Sequence, residues 1–259
     1  MRHLTIKSIT KLKTKSGSVK NRVILDTTNL SKILHSKSLR ESLKNSAGRN
    51  ETGRITTRHR GGRNKRQLKY IDYSGQINKY GNIVSYLSSE YDSNRSALIS
   101  RIVTKQFDFG YRLADNVQEL KTYKTKDFSG GILQLKDIRA GSSIYNIDGK
   151  YCRAAGTSGR LLRTEENRSL VRLGSKVTKW FSSSATASIG ESSNDIFKLI
   201  KKGKAGANRW LGRRPVVRGN AKNAVDHPNG GKTRGGSQPK TQWGKQAKWS
   251  KTRSKKNIV

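Results

Sequence analysis

The sequence is short of several things that common protein classes need. Cys152 is its only cysteine, so no disulfide can form within the chain and a stapled secreted domain is excluded. No apolar run reaches the roughly 18 residues of a membrane-spanning helix. Acidic residues number 17 against 55 Lys plus Arg, a net charge of +38 over 259 residues. Apolar residues make up 32 %, where ordinary globular domains carry roughly 45–50 %. The four histidines, His3, His35, His59 and His227, have no metal-type spacing to one another or to Cys152, which argues against a zinc site. A freely soluble enzyme of this charge would repel itself, so a polyanionic partner is required, and nucleic acid is the commonest one.

The charge sits at the two ends. Residues 1–66 carry a net +15, residues 67–200 a net +7 and residues 201–259 a net +16. The middle also holds the material of a core, running from Leu68 through Leu98, Ile102, Leu135, Ile144, Leu161 and Val171 to Phe181. The arms are poor in apolar residues. Such segments cannot bury enough surface to offset their ordering entropy, so they are expected to order on a partner. Met1–Lys20 is basic and rich in Ser and Thr, a composition shared by mitochondrial transit peptides and RNA-binding arms. The unbroken basic content to residue 66 favours the arm.

The middle reads as β. Strands are expected over 68–73, 82–91, 97–103, 107–113, 131–138, 143–147, 150–155, 160–165, 168–173 and 176–181, with a hairpin turn at Tyr80-Gly81-Asn82. Many short strands separated by glycine turns point to small barrels. One short helix is expected over 194–202, capped by Asn194. Cys152 falls in an expected strand and reads as a small packed residue.

Enzymatic motifs do not survive inspection. Gly231-Lys232-Thr233 resembles the end of a phosphate-binding loop, but Asp226 stands where that pattern needs glycine, and no buried strand precedes it. Asp226 and His227 are adjacent, a poor geometry for a catalytic pair, with no nucleophile nearby. The basic clusters say more. Arg54, Arg58, Arg60, Arg63, Lys65 and Arg66 surround Gly61-Gly62. Guanidinium groups fork onto phosphate and glycines allow close backbone approach. Lys204, Arg209, Arg213, Arg214 and Arg218 repeat that chemistry around Trp210, whose flat face can stack on a base or anchor locally with Leu211, Val216 and Val217. Trp243 and Trp249 carry the same two readings.

These residues also carry a resemblance. Gly53-Arg54-Ile55-Thr56-Thr57-Arg58-His59-Arg60-Gly61-Gly62, Tyr91-Asp92-Ser93-Asn94-Arg95-Ser96-Ala97 and Ala155-Gly156-Thr157 are similar to successive signatures of the universal large-subunit ribosomal protein two family. So are Gly203–Gly219, Val225-Asp226-His227-Pro228, Trp243-Gly244 and Lys251-Thr252-Arg253. The resemblance covers roughly residues 48–256. It implies an all-β chain: an oligonucleotide-binding (OB-fold) barrel over 67–127, an SH3-like barrel over 128–200, a basic arm over 1–66 and an RNA-embedded arm over 201–259. It implies a structural protein that binds large-subunit ribosomal RNA and supports assembly, subunit association and the architecture around the peptidyl-transferase centre, with the chemistry left to RNA. Its partners would be that RNA, neighbouring ribosomal proteins and small-subunit contacts at the subunit interface.

The expected RNA contacts are Arg54, Thr56, Arg58, His59, Arg60, Gly61, Gly62, Arg63, Lys65, Arg66, Arg95, Lys204, Arg209, Trp210, Arg213, Arg214, Arg218, Asp226, His227, Pro228, Asn229, Lys232 and Trp243. No cofactor is expected on a side-chain cluster, and any magnesium belongs to the RNA interface. The sequence departs from the family at Arg63 and Asn64, where glycine and histidine are usual, at Ser93, where proline is usual, and at Asn229, where a second histidine is usual. Such divergence, with a Lys, Asn, Ser and Ile bias, fits a mitochondrial ribosome better than a bacterial or plastid one. The competing function is a free-standing basic RNA chaperone or nucleic-acid-compacting protein, which would carry repetitive tails. These tails are aperiodic.

Overall fold

The computed structural model describes residues 9–11, 22–28, 30–31, 37–75, 83–104, 109–116, 131–232 and 238–247. They fall into two compact units. The first takes the described residues up to 44 and from 65 to 207, and the second takes 45–64 and 208–247.

The first unit is built almost wholly of strands, arranged as an OB-fold barrel and an SH3-like barrel. In the first barrel, β3 (Arg40–Leu43) and β4 (Arg66–Lys69) pair antiparallel. β5 (Ile83–Glu90), β6 (Ile99–Thr104) and β7 (Phe109–Leu113) form an antiparallel meander. The pairing of β5 with β6 shifts register twice, between Ile83 and Ser85 and between Tyr86 and Ser88. Such bulges sharpen a strand's twist and let a sheet curl. The Asp72 N–H donates to the Tyr111 carbonyl at 2.9 Å, tying the chain after β4 to β7.

The second barrel is a six-stranded sheet in the order β12-β11-β10-β9-β13-β8. Its strands are β8 (Ile132–Gln134), β9 (Ser143–Tyr145), β10 (Gly159–Thr164), β11 (Arg168–Arg172), β12 (Thr178–Ser182) and β13 (Thr186–Ile189). Alternation places Leu161 and Val171, directly opposite one another, inside the barrel with Leu135, Ile144, Ile147 and Phe181. Leu162, the next residue along, therefore points outward and is exposed. Tyr70, Leu87 and Phe109, apolar residues of the expected strands, are also exposed. The Arg101 guanidinium lies 4.7 Å above the Phe109 ring.

The structure corrects several expectations. No strand runs over 150–155. Asn146, Asp148, Gly149 and Cys152 all take positive φ, which makes this stretch a tight double turn; Asn, Asp and Gly tolerate that region best. Cys152 therefore sits in a bend, where it is half-buried against two apolar clusters and burial pushes its thiol pKa up. The helix expected over 194–202 is a 3-10 turn, Asp195–Leu199. Asn194 precedes it without capping it: its backbone is left-handed, where a cap is extended, and its Nδ2 donates to the Ser96 carbonyl at 2.7 Å. The strand β13 was not legible, since Thr186-Ala187-Ser188-Ile189 is only half apolar. The amino-terminal region is not without a core. Leu25 of β2 (Val23–Leu25) and Leu30 are buried with Leu98 and Ala114, and β2 pairs with β1 (Ile9–Lys11). The turn at Tyr80-Gly81-Asn82 lies outside the described residues.

The signature over 91–97 joins the two barrels. The buried Asp92 carboxylate accepts the Asn94 N–H at 3.0 Å and the Arg95 Nε–H at 2.6 Å. Ser96 Oγ accepts the Ala155 N–H at 3.1 Å, and the Leu98 N–H donates to Ser193 Oγ at 3.0 Å. Gly156 serves the same seam. Its φ is +62, and a Cβ there would stand 2.7 Å from the Asp195 Cα, so this turn has room only for glycine.

Two measurements test this packing. Leu161→Ala should lower unfolding stability by about 2–5 kcal/mol, as expected for an aliphatic side chain removed from a full core, read by chemical denaturation. Tyr111 is buried against Glu90, and burial first and the Glu90 charge second raise its pKa to about 12. Its folded pKa lies above the usual 10, so the neutral phenol's contribution is present below pH 10 and is lost as pH rises towards 12. The denaturation midpoint should therefore fall more steeply between pH 10 and 12 in the wild type than in Tyr111→Phe.

Candidate nucleic-acid interface

The second unit has no apolar core cluster among its described residues; backbone hydrogen bonds hold it. Thirteen Lys and Arg side chains share its described residues with two acids, Glu51 and Asp226. The Gly48 carbonyl accepts the N–H groups of both Thr56 and Thr57 at 3.0 Å, and Asn50 Oδ1 accepts the Arg54 N–H at 2.9 Å. These turns present Arg54, Thr56, Arg58, His59 and Arg60 as exposed side chains.

The two basic motifs then run side by side. The Gly61 N–H donates to the Gly212 carbonyl at 3.0 Å, the Asn64 N–H to the Trp210 carbonyl at 3.1 Å, and the Arg214 N–H to the His59 carbonyl at 3.1 Å. Arg60 and Arg213 form the antiparallel bridge between them. Segments about 150 positions apart in the sequence thus make one ribbon carrying Arg58, Arg60, Arg213 and Arg214 on its outside. Gly62 is exposed, Arg63 and Arg209 are half-buried, and Gly61 is buried. No periodicity in the sequence announces this pairing. The only signal is that both segments combine arginines with glycine.

Trp210, whose carbonyl opens this pairing, ends α1 (Ala205–Trp210), a helix not expected in a basic arm. Leu211, Val216 and Val217 are all exposed, so the local apolar anchor does not form. Arg218 is exposed beside the 3-10 turn Gly219–Ala221. Gly231 donates its N–H to the Lys222 carbonyl at 3.0 Å, which takes it out of any phosphate loop. Lys232 and Asp226 are exposed, and Pro228 is half-buried. Lys65, Arg66 and Lys204 belong to the first unit, where Arg66 pairs with Leu43 across β3 and β4.

Arg95, expected as an RNA contact, has partners within the protein. Its side chain is 17 % exposed, its Nε–H goes to Asp92 and its Nη1 to the Tyr73 hydroxyl. Arg153 stacks on the same Tyr73 ring at 4.7 Å. The guanidinium thus helps to build the seam between barrels.

His227 is held in one orientation. Its Nδ1 accepts the Asn229 N–H at 3.0 Å, which leaves the ring's remaining proton on Nε2 as a donor. The ring lies flat against Gly219, where a Cβ would stand 2.4 Å from His227 Cε1; any larger residue would displace it. Asn229 is buried, and its amide works as a surrogate peptide. Nδ2 donates to the Gln238 carbonyl at 3.0 Å and Oδ1 accepts the Lys240 N–H at 2.8 Å. Asn229, expected as an RNA contact, is therefore the clamp that fixes the loop beneath His227.

A β protein of two small barrels, with a coreless cationic unit made from distant parts of its chain, belongs to the class that binds structured RNA. Residues 36–122 match the family model for the RNA-binding N-terminal domain of ribosomal proteins L2, and residues 129–250 match the model for their C-terminal domain. The large ribosomal subunit protein uL2m of Reclinomonas americana is 40% identical, over 95% of this chain and 94% of that protein. The chain belongs to the ribosomal protein L2 family, in its mitochondrial form. It is a structural, RNA-binding ribosomal protein. No helix among the described residues is long and apolar enough to cross a membrane.

Asn229→Ala should speed hydrogen exchange at the Lys240 amide at least tenfold while leaving the barrel amides unchanged, read by exchange mass spectrometry or NMR. Unchanged exchange at Lys240 would remove the clamp.

Proposed function

We propose that the ribbon of residues 58–64 and 210–214 is the principal contact of this protein with large-subunit ribosomal RNA. Arg54, Arg58, Arg60, Arg213, Arg214, Arg218 and Lys232 meet phosphates, with Arg63 and Arg209 behind them. The observation that carries this reading is the backbone pairing itself. It brings two strongly cationic segments together without acids to neutralise them, and a polyanion supplies the missing charge. Each phosphate neutralised releases condensed counterions, which drives binding by entropy and makes it depend on salt. Magnesium ions at this interface belong to the RNA.

His227 offers a single Nε2–H from a fixed ring, suited to a phosphate, a ribose hydroxyl or a base acceptor. Its loop, with Asp226 and Pro228, is proposed to lie near the peptidyl-transferase centre and to shape it. The chain contributes architecture there, and peptide transfer remains with the RNA. Support for assembly and small-subunit contacts at the subunit interface belong to the same proposal.

Binding of the full chain to large-subunit RNA should weaken with salt. With about eight phosphates neutralised, the slope of log K against log salt is expected to be about −6 to −7. A slope near zero would overturn the electrostatic reading. Replacing Arg60 and Arg213 together by Gln should make the slope shallower by about 2.

A further inference from the structure

Among the described residues of the second unit, Trp243 is the large aromatic side chain that the fold leaves almost bare, at 78 % exposure. It stands at the tip of a tight turn. Lys240 bridges to Gln246, the Thr241 N–H donates to the Lys245 carbonyl at 2.6 Å, and the Gly244 N–H donates to the Thr241 carbonyl at 3.0 Å. Gly244 takes φ +79, which closes the turn directly behind the indole. The ring packs in none of the apolar clusters. Among the described residues its ring contact is the Arg58 guanidinium, 5.5 Å from the ring centroid, and Arg58 is itself tethered by a hydrogen bond from Nη1 to Gln242 Oε1.

We infer that Trp243 and Arg58 form a stacking platform for a single unpaired nucleobase, with the base on the open face of the indole. The inference rests on the RNA interface proposed above and names one ligand group within it. An indole has two faces, and a cation pinned on one polarises the ring and holds it flat. The other face meets water, an unfavourable arrangement for so large an apolar surface unless something flat covers it. Base–aromatic stacking is tolerant of sequence and typical of unstacked nucleotides in structured RNA. Charge selects a polyanion, and the open flat indole face selects a base within it over an acidic side chain, which has no ring to stack. Lys240 and Lys245 flank the turn and Arg58 lies behind it. No acid occurs over residues 238–247 or 54–66, so the nucleotide's phosphates meet cations on each side.

The test uses mitochondrial large subunits carrying the full chain. Irradiation of wild-type particles at 254 nm should crosslink the peptide containing Trp243 to ribosomal RNA. In particles with Trp243→Ala, one unpaired nucleotide should gain reactivity to dimethyl sulfate or to a ribose-acylating reagent several-fold, and Trp243→Phe should keep it protected. The protections due to the remaining cationic ribbon should stay, which separates this platform from the wider interface. A crosslink to protein alone, or an unchanged reactivity map in Trp243→Ala, would overturn the inference. Should Trp243→Ala chains fail to enter particles, the wild-type crosslink decides the matter alone. Absence of any protection from the ribbon in wild-type particles would overturn the interface reading itself.

Discussion

Thirteen cations gathered with two acids cannot be held together by side chains, and the second unit is organised around that constraint. The apolar residues there, such as Ile55, Leu211, Val216, Val217 and Val225, are exposed and build no core. Two acids are too few to pair thirteen cations. The remaining cohesive force is the hydrogen bond, mostly backbone to backbone with the neutral amides of Asn50 and Asn229 joining in, which is indifferent to side-chain charge. Gly48, Gly61, Gly212 and Gly231 provide the turns and close approaches it requires, and Arg and Lys stems project away from the ribbon. Each such bond is worth only about 1 kcal/mol net. The unit's own cohesion is therefore modest against the repulsion it carries, and a polyanion that screened it would add stabilisation by binding the folded form.

The first unit solves the opposite problem. Several of its cations are paired with acids. Lys69 lies 3.1 Å from Glu90, both buried, and stacks on Tyr111. Arg95 is locked to Asp92, and Glu165 bridges Arg163 and Arg168, both of which lie against the Trp180 ring. The exposed pairs contribute little to stability. The buried ones are costly to break, since a lone buried charge keeps its desolvation penalty. Their value lies in fixing geometry: Asp92 and Arg95 hold the 91–97 loop in the shape that receives Ala155, Ser193 and Asn194. A motif that reads in sequence as a short polar loop is thereby a rivet between two barrels.

Legibility followed the range of the forces involved. Strands β5, β6, β7, β10, β11 and β12 were readable because alternation and β-branched content act over a few residues. β13 was not, because Ala187 and Ser188 owe their burial to β8 and β9 on either side. Cys152 was misplaced because positive φ at a non-glycine residue is settled by the seam around it. The cationic character of the interface was plain from composition. Its assembly was not, since the bonds from Gly61 to Gly212 and from Asn64 to Trp210 join segments whose sequences share no pattern that pairs them. The pairing of Arg95 was hidden for a related reason: an arginine's charge is visible in sequence, but which carboxylate it meets, here Asp92, is decided by the fold.

The Asn at 229, where the family more often has histidine, illustrates how the fold changes the meaning of such a departure. The amide nitrogen and oxygen project from the same end of the side chain. They meet the Gln238 carbonyl and the Lys240 N–H, which point the same way from an extended stretch because they lie two residues apart. Imidazole carries its donor and acceptor on separate sides of a ring and cannot span that pair as a peptide does. Pro239 between them contributes no N–H to compete. The clamp and the His227 ring are then mechanically coupled, since the same residue's backbone N–H holds His227 Nδ1. One imidazole in this loop is presented by its neighbour, and its capacity is that of a fixed Nε2–H donor. A two-histidine mechanism has no place here, whereas recognition of RNA by one oriented donor requires nothing the loop lacks.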